Sequence, residues 1–305
     1  REWLIDHRER HNIPWKQLSR SSGIPASSLG NFAGRNYGAN ESNIAEKIFR
    51  YRQTLVSQRS LKGKLPVEPK FYKTPTSETI LGSLAYAQHG RMVLVPMAPG
   101  LGKTKSANHF KACNSNVFLA TCSAATSSVH ALQRRVLKSL GCINMVGSLE
   151  VLSSRIVELL QGKSDALLIL DEAQHLTVKA LDEARHWHDE TGVGIALMGN
   201  EALLPRIEGT NRSSEYAQLF SRIAQRTPQS KPLAEDVEVM MDAWDIHDVH
   251  VGKLIEKIAM KPGGLRVATF SLELALMLAA AAQEELSEDH VHDAWLQLSS
   301  RGGSV

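Results

Sequence analysis

The run Met92-Val93-Leu94-Val95-Pro96-Met97-Ala98-Pro99-Gly100-Leu101-Gly102-Lys103-Thr104 ends in residues suited to holding phosphate. Glycines at 100 and 102 let backbone N–H groups turn inward on an anion. Lys103 can reach β- and γ-phosphates, the Thr104 hydroxyl can hold Mg²⁺, and Lys105 continues a helix whose N-terminus favours negative charge. The usual G-x-x-x-x-G-K-[ST] pattern has Met97 in place of its first glycine, while Pro99-Gly100-Leu101-Gly102-Lys103-Thr104 keeps the part that wraps phosphates. Farther on, Ala166-Leu167-Leu168-Ile169-Leu170 delivers Asp171 and Glu172. Asp171 suits Mg²⁺ coordination through water, and Glu172 suits polarising the water that attacks a γ-phosphate. Asn200 can bond that water or the γ-phosphate, or cap a helix. Arg222 or Arg226 can complete a neighbouring subunit's site, and Arg266 can reach the nucleotide from a lid. ATP and Mg²⁺ are the expected ligand and cofactor.

These residues need a parallel sheet, whose strands present ligands at their carboxyl ends. The apolar runs 92–95, 116–121, 166–171 and 193–198 read as its strands. Helices are expected over 79–89, 103–112, 128–140 and 149–160, and a short strand is expected after Ser221-Arg222-Ile223-Ala224-Gln225-Arg226. The remainder is helical: Pro262-Gly263-Gly264-Leu265-Arg266 starts one helix, and Leu272–Ala282 reads as its core. The acidic run from Glu235 to Asp248 reads as a solvated helical face.

In front lie helices over 3–10, 15–21 and 25–32, with Gly23 in the turn between the second and third. A further helix carries Ile44, Ile48, Tyr51 and Leu55. In a groove-binding reading, Ser27, Ser28 and Asn31 meet base edges and Arg35 meets phosphate; a small helical protein-binding module fits the same pattern. Periodicity stops near Ser57, and Pro66, Pro69 and Pro75 among lysines mark a basic linker. The expected organisation is therefore a helix-turn-helix module at 1–56, a linker at 57–75, a nucleotide-binding core at 76–230 and a helical lid at 231–305.

Residues 1–75 carry 14 Lys and Arg against 6 Asp and Glu, whereas the remainder carries 21 against 26. A basic front end suits a polyanion, and a solvated basic linker explains its lysines equally well. The run Leu272–Ala282 is too short to span a bilayer, so no membrane partner is expected. Cys113, Cys122 and Cys142 contain no C-x-x-C pair, which argues against a disulfide framework or zinc site and for a cytoplasmic compartment. His186/His188 and His290/His292 lie two apart, a poor chelate on a helix.

The order Lys103-Thr104, Asp171-Glu172, Asn200, Arg222/Arg226 and Gly263-Gly264-Leu265-Arg266 resembles AAA+ ATPases of the initiator-like branch. In that family these positions are Walker A, Walker B, sensor 1, arginine finger and sensor 2. The phrases Leu170-Asp171-Glu172-Ala173-Gln174-His175-Leu176 and His188-Asp189-Glu190-Thr191-Gly192, behind a helix-turn-helix, resemble the target-capture ATPases of Mu-like transposable phages and, more distantly, TnsC-type regulators. The resemblance implies an α/β AAA+ core, a parallel sheet flanked by helices, with an all-α module before it and a helical lid after it. It also implies an ATPase in the bacterial host cytoplasm that binds double-stranded DNA with little sequence preference and assembles with itself into a helical filament. Such a protein presents target DNA to a transposase, and stimulated hydrolysis gives target immunity. Lys179 and Arg185 are further candidates for DNA contact. Two other readings stay open: a sequence-specific transcription regulator with an ATPase switch, and a loader whose partner is a protein.

Overall fold

The computed structural model describes residues 1–38, 40–62, 69–208 and 214–299. The chain divides into two compact units, Arg1–Pro66 and Val67–Val305. The first is helical: α1 (Glu2–Arg10), α2 (Trp15–Ser22), α3 (Ala26–Ala33) and α4 (Glu41–Lys62). Leu4, Leu18, Ile24, Leu29, Phe32, Ile44 and Ile48 form its core. Gly23 closes α2 at φ 69°, a left-handed position that a side chain would strain, and α3 opens after Pro25. The helical segment α4 runs through 57–62, where loss of apolar periodicity suggested linker. Arg59 and Lys62 thus sit on a helix; Lys64 and Pro66 fall outside the described residues.

In the second unit α5 (Pro75–Gln88) leads into β1 (Met92–Pro96), α6 (Lys103–Cys113) and β2 (Val117–Thr121). Its start is set by Thr74, whose hydroxyl accepts from Ser77 N, with Pro75 at the first helical position. A short turn at Ala124–Thr126 precedes α7 (Val129–Ser139) and α8 (Leu149–Leu160). Then come β3 (Leu167–Asp171), a turn at Ala173–His175, α9 (Val178–Thr191), β4 (Gly194–Gly199), α10 (Leu203–Glu208), α11 (Ser214–Arg222) and β5 (Ile223–Arg226). The strands pair in parallel in the order β2-β3-β4-β1-β5. Strands β1, β3 and β4 are buried along their whole length, which is why they read as unbroken apolar runs. Met92 and Leu94 face one apolar layer with Leu132, Ile156 and Trp187; Val93 and Val95 face the other with Ile80, Leu84 and Phe110.

One strand is displaced from expectation. The last strand does not follow Ser221–Arg226 but is formed by Ile223–Arg226, because buried Ile223 pairs with Met92 at the sheet edge.

Four helices complete the unit: α12 (Ala234–Ala243), α13 (Val249–Ala259), α14 (Gly264–Ala282) and α15 (Glu288–Leu298). At 19 residues α14 extends well beyond the apolar run read from the sequence and is long and apolar enough to cross a membrane by length and composition. Leu265, Ala268, Leu272 and Ala275 pack into the core of this four-helix group. Asp236 is not on a solvated face: it is fully buried and accepts from Thr76 N (2.8 Å), the Thr76 hydroxyl and Leu233 N (2.8 Å). That carboxylate ties α12 to the start of α5.

Candidate functional site

β1 ends against a loop that carries the expected phosphate-binding residues. Met97, at the place of the missing glycine, is buried and continues the strand pairing, its N–H donating to Gly199 O at 3.0 Å. An extended residue with a core-facing side chain needs no glycine there. Gly100 and Gly102 take φ of 84° and 85°. Gly102 caps α6 without any side-chain bond, leaving the first N–H groups of the helix for an anion. Lys103 is buried and donates to Met97 O at 2.7 Å and Ala98 O at 2.9 Å. Burial pushes its ammonium below the ordinary lysine range; Glu172 and Asp171 oppose this, while Arg266 adds to it.

Thr104 Oγ1 donates to Asp171 Oδ2 at 2.8 Å, which joins the phosphate loop to the end of β3. Asp171 is buried, and that burial raises its pKa against the Thr104 bond that lowers it. Glu172 follows in the left-handed region at φ 57°, a sharp turn that separates the two carboxylates. Its Oε2 accepts from Gln174 Nε2, and Gln174 Oε1 in turn accepts from Asn200 N at 3.2 Å. Asn200 Oδ1 accepts from Ala202 N at 3.1 Å, so Asn200 both faces the site and caps the turn into α10.

A cavity of about 470 Å³ unites these groups. Pro99, Gly100, Leu101, Gly102, Lys103, Thr104, Lys105, Glu172, Asn200 and Arg266 all line it. Its other wall was not foreseen: Phe71, Tyr72, Leu265 and Phe270 make an apolar side. Phe71 stacks on His109 with ring centroids 3.9 Å apart. The adjacent aromatics Phe71 and Tyr72, in a segment read as basic linker, were the available signal. Gly263 and Gly264 bring α14 against the loop, since a Cβ on Gly100 would lie 1.8 Å from Gly263 O. Gly100→Ala therefore combines that backbone overlap with about 1–2 kcal/mol of left-handed strain. The expected result is a lower melting temperature together with weakened binding of a fluorescent ATP analogue, measured by thermal scan and titration.

Arg222 and Arg226 lie outside the cavity. Arg222, 48% exposed, donates to Asp189 Oδ1 at 2.8 Å, and Asp189 also receives Arg185. The Arg222 hydrogen bond is the main reason that the Asp189 carboxyl is held below its ordinary range. Arg226 is half-buried on β5, paired with Glu208 and stacked over Phe220. Arg185 is a poor candidate for DNA contact, because Asp182 and Asp189 already neutralise its largely covered side chain. It shares with Lys179 a groove that is also lined by Glu150, Glu158, Asp182, Glu183 and Glu190, a setting that repels phosphate. On the first unit, Ser27, Asn31 and Arg35 are exposed and Ser28 is half-buried.

Residues 87–207 match the family model described as an AAA domain, and residues 221–298 match that of the Mu B transposition protein, C terminal. The chain is 31% identical to the ATP-dependent target DNA activator B of Escherichia phage Mu over 95% of this chain and 92% of that protein. The Mu-like prophage FluMu DNA transposition protein B of Haemophilus influenzae is 32% identical over 87% and 92%. Among solved structures, the ORC2 protein of Aeropyrum pernix superposes with a TM-score of 0.55 at 17% identity over 73% of this chain and 69% of that one. Cdc6p of Pyrobaculum aerophilum gives 0.57 at 14% over 74% and 68%. These two share the fold.

Proposed function

Because the chain belongs to the Mu B family of AAA-domain transposition proteins, we propose that it is an ATP-dependent target-DNA activator that hydrolyses ATP. The observation that carries this reading is the Thr104–Asp171 hydrogen bond, which joins the lysine-bearing loop to the end of β3, where Glu172 lines the same cavity as Lys103 and Thr104. The loop N–H groups and the uncapped start of α6 bind phosphate oxygens. Lys103 exchanges its two carbonyl partners for them, and Arg266 adds charge from α14. Phe71, Tyr72 and Phe270 enclose the base. Thr104 and Asp171 form the oxygen donor set that fits Mg²⁺, which when bound neutralises phosphate charge. Glu172 accepts the proton of the attacking water, and Asn200 orients that water.

In its finer form the proposal is a protein of the bacterial host cytoplasm that coats double-stranded DNA of any sequence as a homo-oligomeric helical filament. It presents that DNA to a transposase and leaves it when hydrolysis is stimulated, which produces target immunity. Head-to-tail contacts of one surface with another build such open helices, and many weak phosphate contacts add up along a filament. The test is binding of unrelated duplexes with ATP, ADP or no nucleotide at several salt concentrations, followed by anisotropy and electron microscopy. Filaments on every duplex with ATP alone support the reading. Tight binding to one sequence regardless of nucleotide would make the first unit an operator reader and the ATPase a switch.

Within this proposal Arg222 is the finger, because it is the more exposed of the two and held only by a carboxylate it can leave. Arg222→Ala should lower ATP turnover on DNA about 10³-fold while ATP affinity of the free subunit is kept. Arg226→Ala should instead lower the melting temperature, since it strands Glu208 beside Phe220. Turnover that falls with Arg226→Ala at an unchanged melting temperature would reverse the assignment.

A further inference from the structure

The exposed side of α7 carries a group of basic side chains close together on one helix. His130, Arg134 and Lys138 are exposed and recur at every fourth position, so they form a stripe with about 6 Å of axial rise between neighbours. Arg135 is exposed beside them. Leu132, Gln133, Val136 and Leu137, on the opposite face, are buried. Among the described residues none of the four makes an ion pair or hydrogen bond, in contrast to Arg185, Arg222 and Arg226. Glu183 of α9 accepts from Gln133 Nε2 on the buried face of α7 at 2.9 Å.

We infer that this face of α7 is a contact surface for the phosphate backbone of duplex DNA. The inference rests on the DNA-activator reading above and gives it a location. Arg134, Arg135 and Lys138 offer charge, and α7 carries no Phe, Tyr or Trp as a stacking platform, which fits a duplex better than a single strand. The stripe is also tied to the nucleotide site. Just before α7, Cys122 N donates to Asp171 O at 2.8 Å, and Thr177 N, at the start of α9, donates to Ser127 O at 3.0 Å. The turn that launches α7 is therefore bonded on both sides to the segment carrying Asp171 and Glu172, so a shift there moves the stripe.

The test uses the full chain with ATP and unrelated fluorescent duplexes, and reads the slope of log K against log salt. Arg134→Ala/Lys138→Ala should reduce that slope by about 1.8, as expected for two lost phosphate contacts. The swap Arg134→Lys/Lys138→Arg should retain it. Lys253→Ala/Lys257→Ala removes the same charge from the exposed side of α13 and should leave the slope unchanged. ATP turnover without DNA reports that the variants are folded. An unaltered slope in the first variant, or an equal loss in the α13 variant, overturns this face while the DNA-activator reading stands. A parent chain that binds no duplex in any nucleotide state overturns both.

Discussion

Lys103→Ala is expected to abolish nucleotide binding while leaving the fold intact. Two charge-assisted bonds to phosphate oxygens are lost, each about 1.5–3 kcal/mol, which amounts to an affinity loss on the order of 10²- to 10⁴-fold. Stability should move the other way. Burial lowers the pKa of Lys103 below its unfolded value. Keeping the ammonium charged inside the fold therefore costs free energy that is fully present below the folded pKa and vanishes above the ordinary lysine range. Removing the side chain relieves that cost at the expense of the two bonds to Met97 O and Ala98 O. Titration with a fluorescent ATP analogue should show no saturation at neutral pH, with a melting temperature equal to or above that of the parent. Affinity within tenfold of the parent would remove Lys103 from the phosphate site, and a collapsed melting temperature would make it a structural residue.

Glu172→Gln should separate binding from turnover. The amide has nearly the shape of the carboxylate and can still accept from Gln174 Nε2 through its oxygen, so the turn at φ 57° and the bond from Asn200 N to Gln174 Oε1 persist. What disappears is the base. Loss of a positioned general base lowers turnover by about 10²- to 10⁴-fold. ATP affinity should be unchanged, since Lys103, Thr104 and Asp171 are untouched. In the proposed cycle hydrolysis precedes release from DNA, so the variant should remain on DNA for as long as ATP is present. Phosphate release at saturating ATP and dissociation from a fluorescent duplex measure the two halves. If the variant left DNA faster than the parent, the assignment of the base would be wrong; if turnover fell less than tenfold, another group would be taking the proton.

The two variants act on residues that local sequence already marks. A glycine-rich turn between an apolar run and Lys103-Thr104, and a second apolar run ending in Asp171-Glu172, encode their own conformation: the glycines supply left-handed backbone, and the buried parallel strands must be apolar throughout. From those constraints came the parallel sheet and the placement of Lys103, Thr104 and Glu172 at one end of it. Met97 fits its place for an equally local reason, because an extended residue takes any side chain that fits the core.

What the sequence by itself could not decide was which charges are spent, since that depends on faces of distant elements meeting. Asp236 looked solvated within an acidic run, yet it is buried against Thr76, 160 residues away. Arg185 looked free, yet Asp182 and Asp189 on its own helix face neutralise it, and Asp189 also holds Arg222 from another element. Phe71 looked like linker until it closed the cavity beside His109. Local composition therefore determined the glycine-rich loop, the apolar strands and the carboxylates at the end of β3. Tertiary packing decided the aromatic wall of the cavity and which arginines are paired with carboxylates, because the long-range contacts that satisfy or strand a charge exist only once the chain is folded.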